Sequence, residues 1–426
     1  MSGEYCIEAV GKPGIPNRTM LRCRIFHVLT SLILWSGLLL PASPQSGVSS
    51  KKNITAIVHF LKGANAQREG DMNGALEEYQ QAVNLDNQFA EAFNNMGTIF
   101  FQKNNSGKAI EFYEKALNLH DDFAIAHNNM GTAYARQAYR MNVSQFYRRA
   151  IVHLEKAIEL DSDLAEAYNT LGIVYHRRGQ YHRSTEFFMK SKQVRPTYVD
   201  AYNNLGHTLS RLGRFSEALS ELEEALKLDS KFAAARHNLG MVNLRQGNYE
   251  AALRELEKAI IDNPDFVASY VELAALHLRE ADAEKAFGIA QQAVRANPES
   301  SRAYNILGIS HLGLGDRSSA VKMLERSVEL DQNSAESHSN LGALLALQGQ
   351  TERALEALGR ATELDKQLAD PYKYRGNIFF RRGDIEQAID SYSHYLKLDL
   401  EAKDSEQVQS LIDLLSSVRE QMIEAE

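Results

Sequence analysis

Asparagines stand at positions Asn95, Asn129, Asn204, Asn238 and Asn340, separated by thirty-four residues, by a multiple of thirty-four, or by such a multiple plus seven. Arginines keep the same step at Arg136, Arg177, Arg211, Arg245 and Arg279. A side-chain amide offers both a donor and an acceptor, so a row of them can hold the backbone of an extended peptide without demanding one sequence. A guanidinium adds bidentate recognition of carboxylates. Acidic residues accompany both rows at Glu91, Glu166, Asp200, Glu336 and Asp370. As solvated partners of the arginines they would contribute little to stability. This is the chemistry of binding, not of bond-making.

Catalytic chemistry needs groups that converge, and the candidates here do not. His176 and His182 are six apart across a helix end, which does not suit one metal ion, and His120, Asp121 and Asp122 fall in a turn. Gly313 and Gly315 lack both a preceding strand and a following Lys and Ser/Thr pair, so they form no phosphate loop. Glu223 and Glu224 lie on a solvated helix face. Both cysteines, Cys6 and Cys23, precede the first apolar run, leaving the rest of the chain without a thiol for a disulfide, a zinc site or a nucleophile. No enzyme, metal or cofactor is expected. A net charge of −8 over 426 residues argues against a general affinity for nucleic acid.

The element that must position these rows is a repeat. Gly63, Gly97, Gly131, Gly172, Gly206, Gly240, Ala274, Gly308, Gly342 and Gly376 are thirty-four residues apart, except for one step of forty-one. Around them recur an aromatic residue or Leu, then a small residue (Ala75, Ala109, Ala150, Ala218, Ala252 and onward), then Phe or Leu. Pro196, Pro264 and Pro298 mark turns. Tyr168, Leu171, Gly172, Tyr175, Phe188 and Pro196 show the pattern in one unit. It resembles the tetratricopeptide repeat family over about residues 56–402. The resemblance implies an all-α fold: a right-handed solenoid superhelix of ten helix-turn-helix units, each first helix stopped by a glycine such as Gly179 or Gly213. After it, 403–426 carries Val408, Leu411, Ile412, Leu415, Val418 and Met422 at helical spacing, with Asp404 as N-cap, and is expected to cover the last apolar face.

Relative to each anchor, the residues six and two before it and one and five after it are spaced four, three and four. They form one stripe, expected to face away from the packing residues. In the family that stripe resembles the lining of a concave groove, and the Asn and Arg rows lie on it. The clamp that binds the carboxyl ends of cytosolic chaperones is matched only by Lys373 and Asn377 in the last repeat, and so is not expected to form. The seven additional residues fall within 136–150 and should lengthen both helices of the third hairpin by about one turn. Its Tyr139, Arg140, Phe146, Tyr147, Arg148 and Arg149 are types enriched at interface hot spots and form a second candidate surface.

Ahead of the repeats, 1–24 is a basic leader, 25–42 an apolar stretch that reads as a cleaved signal peptide or a signal anchor, and 43–55 a Ser, Pro, Gly and Lys linker. Arg18, Arg22 and Arg24 precede the apolar run, which places the repeats on the extracytoplasmic side, with membrane association through 25–40 if the segment is retained. The function expected is a scaffold for protein or peptide segments in a secretion, pilus or polysaccharide-export assembly. A glycan-binding accessory protein, or a cytosolic adaptor if the leader is misread, is the alternative.

Overall fold

The computed structural model describes residues 47–425 apart from 142, 400, 401 and 403; the leader and the apolar segment 25–42 lie outside these. The chain divides between Ser230 and Lys231 into two compact units. The first holds the hairpins Gly47–Glu69 with Met72–Leu85, Ala90–Gln102 with Ser106–Leu119, Ala124–Met141 with Ser144–Leu160, Ala165–Arg177 with Tyr181–Val194, and Val199–Arg211 with Phe215–Leu228. The second holds Ala233–Arg245 with Tyr249–Asp262, Val267–Arg279 with Ala283–Ala296, Ser301–Gly313 with Arg317–Leu330, Ala335–Leu347 with Thr351–Leu364, and Asp370–Arg382 with Ile385–Leu398. It ends in the helix Ser405–Ala425. The first helix begins at Gly47, so most of 43–55 is helical rather than linker.

Each hairpin closes because its first helix carries a residue with no room for a side chain. A Cβ added at Gly206 would stand 2.6 Å from Leu222, and one at Gly172 would stand 2.5 Å from Phe188. The residue that fills the space, sixteen positions on, is fully buried in Tyr79, Tyr113, Phe188, Leu222, Leu256 and Leu324. Burying one such Leu or Phe contributes about 1.5–3 kcal/mol. Between the two helices the chain turns through a left-handed residue, as at Gly179 with φ 71°. Between repeats an Asp or Asn side chain accepts the amide two residues on, as Asp161 does from Asp163 at 3.0 Å. Within each unit the first helices of several consecutive repeats approach one another directly.

The third hairpin has helices of 18 and 17 residues where the second has 13 and 14, so it projects by about one turn beyond its neighbour. At the carboxyl end, Val408 and Leu415 bury against Tyr392 and Tyr395. The carboxylate of Asp404 accepts from Tyr395 Oη at 2.7 Å and pairs with Lys373 at 2.5 Å. From its place directly before the last helix, whose Val408 amide donates to its carbonyl at 2.9 Å, Asp404 ties that helix to the last repeat.

Candidate partner-binding surfaces

The middle of the stripe does not face away from the packing, although its edges do. In the first unit, Asn129 Nδ2 donates to Asn94 Oδ1 at 2.9 Å and Asn204 Nδ2 donates to Asn169 Oδ1 at 3.0 Å. In the second, Asn340 Nδ2 donates to Asn305 Oδ1 at 3.0 Å. The residue two before one anchor thus meets the residue three before the preceding anchor, and the pairs form rungs between adjacent first helices. Asn95, in the second repeat, donates to Tyr79 Oη at 3.3 Å instead. Asn204 and Asn238 are only 4% and 1% exposed, so these two are corrected from groove lining to internal residues. The cause is the close approach of neighbouring first helices, which draws the middle of the stripe into the seam. Asn95, Asn129 and Asn340 stay half-buried at its rim. The acceptors Asn94, Asn169 and Asn305 were not foreseen, although the doublets Asn94–Asn95, Asn128–Asn129 and Asn203–Asn204 are visible in the sequence.

The arginine row reaches back to the preceding repeat as well. Arg136 lies 3.4 Å over the Phe101 ring and donates to the Phe101 carbonyl at 2.8 Å. Arg177 lies 4.1 Å over Tyr139. Arg211 donates to Tyr181 Oη at 3.3 Å, and Arg279 to Tyr249 Oη at 2.6 Å. Arg211 and Arg279 are exposed, whereas Arg245 is half-buried. Held in this way, the guanidinium is fixed in place by the ring and by the hydrogen bond it donates. Of the flanking acids, Glu166 binds Arg195 through both oxygens at 2.7 and 2.9 Å.

In the projecting hairpin, Phe146 stacks on Tyr134 and Tyr147 packs into the same core, so both are half-buried and contribute to the hairpin's stability. Tyr139, Arg140, Arg148 and Arg149 are exposed. Arg149 donates to Tyr134 Oη at 3.3 Å. Beside them His153 makes a 3.0 Å contact with His127, and burial, with His127 and Arg149 adding to it, pulls its pKa down to about 4. On its other side the hairpin borders a cleft lined by Lys103, Asn104, Asn105, Ser106, Gly107, Gln137, Arg140 and Met141.

In the second unit the stripe holds Glu272 where five other repeats have Asn. It is 8% exposed, and burial, reinforced by Glu336 and opposed by Arg302 and Arg245, pushes its pKa up to about 7. No group of three or more metal-ligating side chains occurs among the described residues, and no described helix is long and apolar enough to cross a membrane.

Models described as tetratricopeptide repeat match residues 163–231, 203–268, 237–301, 301–334, 323–356 and 348–404, and a TPR repeat model matches 68–104 and 97–137. Comparison with curated proteins finds no match. Among solved structures the chain is similar to the crystal structure of yeast Tom70, with a TM-score of 0.50 and 16% identity over 87% of this chain and 97% of that one. It is also similar to the APC/C hetero-tetramer Cut9-Hcn1, with a TM-score of 0.52 and 14% identity over 84% of this chain and 76% of that one. At such identities the likeness is one of fold. The thirty-four-residue step, the glycine-to-large-residue pairing inside each hairpin and the matched repeats together establish that the chain belongs to the tetratricopeptide repeat family.

Proposed function

We propose that this chain is a non-catalytic scaffold that binds extended segments of partner proteins along the inner side of its repeats. It would be exported or tethered by its amino-terminal segment, so as to assemble or retain an extracytoplasmic complex of the secretion, pilus or polysaccharide-export kind. The observation that carries the reading is the Asn129–Asn94, Asn204–Asn169 and Asn340–Asn305 rungs. They fix the inner faces of consecutive first helices in register. Exposed groups of the same stripe, Glu91 and Arg211 in the first unit and Arg279 and Glu336 in the second, are carried on these first helices, where an extended ligand meets them. The same polar lining is poor in apolar surface, which suits reversible capture of a strand-like segment more than permanent subunit packing.

A photo-crosslinking residue placed at Glu91 or Glu336 in living cells, with Glu223 on a second helix as the control position, tests this. Envelope partners captured from the inner positions and not from Glu223 would support the reading. Equal capture from all three, or capture only of cytosolic proteins, would overturn the binding face or the location respectively.

A further inference from the structure

We propose that the arginine-rich end of repeats three and four is a docking site for an acidic peptide segment of a partner protein. This deepens the scaffold reading and rests on it, by naming a second surface and the chemistry it selects.

The chain carries 55 acidic and 47 basic residues, yet 136–154 contains four arginines and no carboxylate, and 167–185 contains three arginines and no carboxylate. The fold brings these two stretches together. Arg177 of the fourth repeat lies 4.1 Å over Tyr139 of the third, and the Tyr147 hydroxyl feels the charges of both Arg177 and Arg178. Arg183 lies 4.3 Å over Tyr175, and Arg149 lies 5.5 Å over Tyr134. Among the described residues no carboxylate forms an ion pair with Arg140, Arg148, Arg149, Arg177, Arg178 or Arg183, although Glu155 stands close enough to Tyr175 to act on it. The Nε of Arg177 is buried and has no hydrogen-bond partner there. Elsewhere the chain neutralises such groups, as Glu166 does Arg195 and Glu221 does Lys192.

The partner's chemistry follows from the geometry. Guanidiniums held over tyrosine rings, with no carboxylate paired to them, select a ligand whose carboxylates they can bind bidentately. The tyrosine faces they cover are then not free to stack bases, which disfavours a single-stranded nucleic acid. A flat anionic membrane would meet only the tip of the hairpin. On the hairpin's other side, between repeats two and three, a recess lined in part by Lys103, Gln137, Arg140 and Met141 adjoins the arginine cluster through Arg140 and gives a chain segment a concave place to continue into. Met141, 61% exposed, and Val143, 37% exposed, add an apolar contact, so the segment that fits is acidic with an apolar side chain among its carboxylates.

The test uses the full chain and a fluorescently labelled peptide of Glu and Asp with one central Leu, beside the same peptide with Gln and Asn in place of the acids. The acidic peptide should bind and weaken as salt rises. The Gln and Asn peptide should not bind. Arg140→Glu, Arg148→Glu and Arg178→Glu together, all exposed positions, should lower affinity more than tenfold with an unchanged circular dichroism spectrum, whereas Lys227→Glu should not. Equal binding of both peptides, or no effect of the triple variant, would overturn the inference. So would binding to anionic vesicles or to an oligonucleotide without binding of the peptide. If the peptide fails while inner-face crosslinking at Glu91 or Glu336 persists, only this inference falls; if both fail, the scaffold reading falls with it.

Discussion

Ala274 shares a fully buried cluster with Ala290, sixteen residues on. In the other nine repeats the anchor is glycine, opposed by Tyr, Phe or Leu. The sum of the two volumes matters more than either, because a close-packed interface tolerates volume-conserving exchange and penalises an added methyl. Gly206→Ala should therefore destabilise the first unit by about 1–3 kcal/mol, since its Cβ would stand 2.6 Å from Leu222. Adding Leu222→Ala should cost less than the two single changes summed. Denaturant unfolding of the single and double variants measures this coupling, and strict additivity would refute the pairing.

Ala281 turns the same repeat through φ 61°, where seven other repeats have glycine and the second has Asn104. A left-handed alanine is strained by about 1 kcal/mol. Ala281→Gly should raise the unfolding midpoint of the second unit despite the greater freedom of glycine in the unfolded chain. A lowered midpoint would show that the strain is relieved some other way.

How much of this could be read beforehand varies with how directly a feature follows from the period. The hairpins, their close-approach residues and the lengthened third repeat all follow from spacing, because a helix fixes the direction of every side chain once the anchor is set. The fate of the stripe did not follow. Asn204 sits at the edge between groove and seam, and a small change in the approach of neighbouring first helices moves it from rim to interior. Phe146 and Tyr147 were misplaced for a related reason: aromatic residues at a hairpin tip pack inward when both helices lengthen together. That Arg140, Arg148, Arg149, Arg177, Arg178 and Arg183 form no ion pair among the described residues needed the tertiary structure, since it depends on which carboxylates come near.

Acidity should act on the second unit in two opposed ways. Glu272 has its pKa pushed up to about 7, chiefly by burial, with Glu336 adding to the shift and Arg302 and Arg245 opposing it. A raised folded value means the stability it permits is intact below about pH 4.5 and is lost as pH rises towards and through 7. His237, enclosed and in contact with Ser269 at 3.1 Å, has its pKa pulled down to about 3 by burial, so its contribution is lost as pH falls below about 6.5. Between pH 4.5 and 6.5 the two slopes oppose. Glu272→Gln should raise the unfolding free energy at pH 8, by up to about 3 kcal/mol, and leave it nearly unchanged at pH 4.5. An equal gain at both values would mean that packing, not ionisation, is responsible.

The interrupted rung between repeats three and four can be completed. Asn128 occupies the accepting position, and its Oδ1 is buried with no hydrogen-bond partner among the described residues. The residue that would donate to it is Thr170, too short to cross the seam, whose hydroxyl instead donates to the Glu166 carbonyl at 2.9 Å. In the two flanking seams of that unit the donor is Asn129 or Asn204. Thr170→Asn supplies a longer amide at the same register, and a new neutral hydrogen bond to a buried acceptor contributes about 0.5–1.5 kcal/mol. The complementary change, Asn204→Ala, strands Asn169 Oδ1 and should cost about 1–3 kcal/mol. Because Asn204 is internal, that loss should appear in unfolding and not in crosslinking from Glu91. If Thr170→Asn fails to stabilise while Asn204→Ala destabilises, the lengthened third hairpin has shifted the seam out of register with the other rungs. If neither change alters stability, the asparagine rungs do not hold the repeats together.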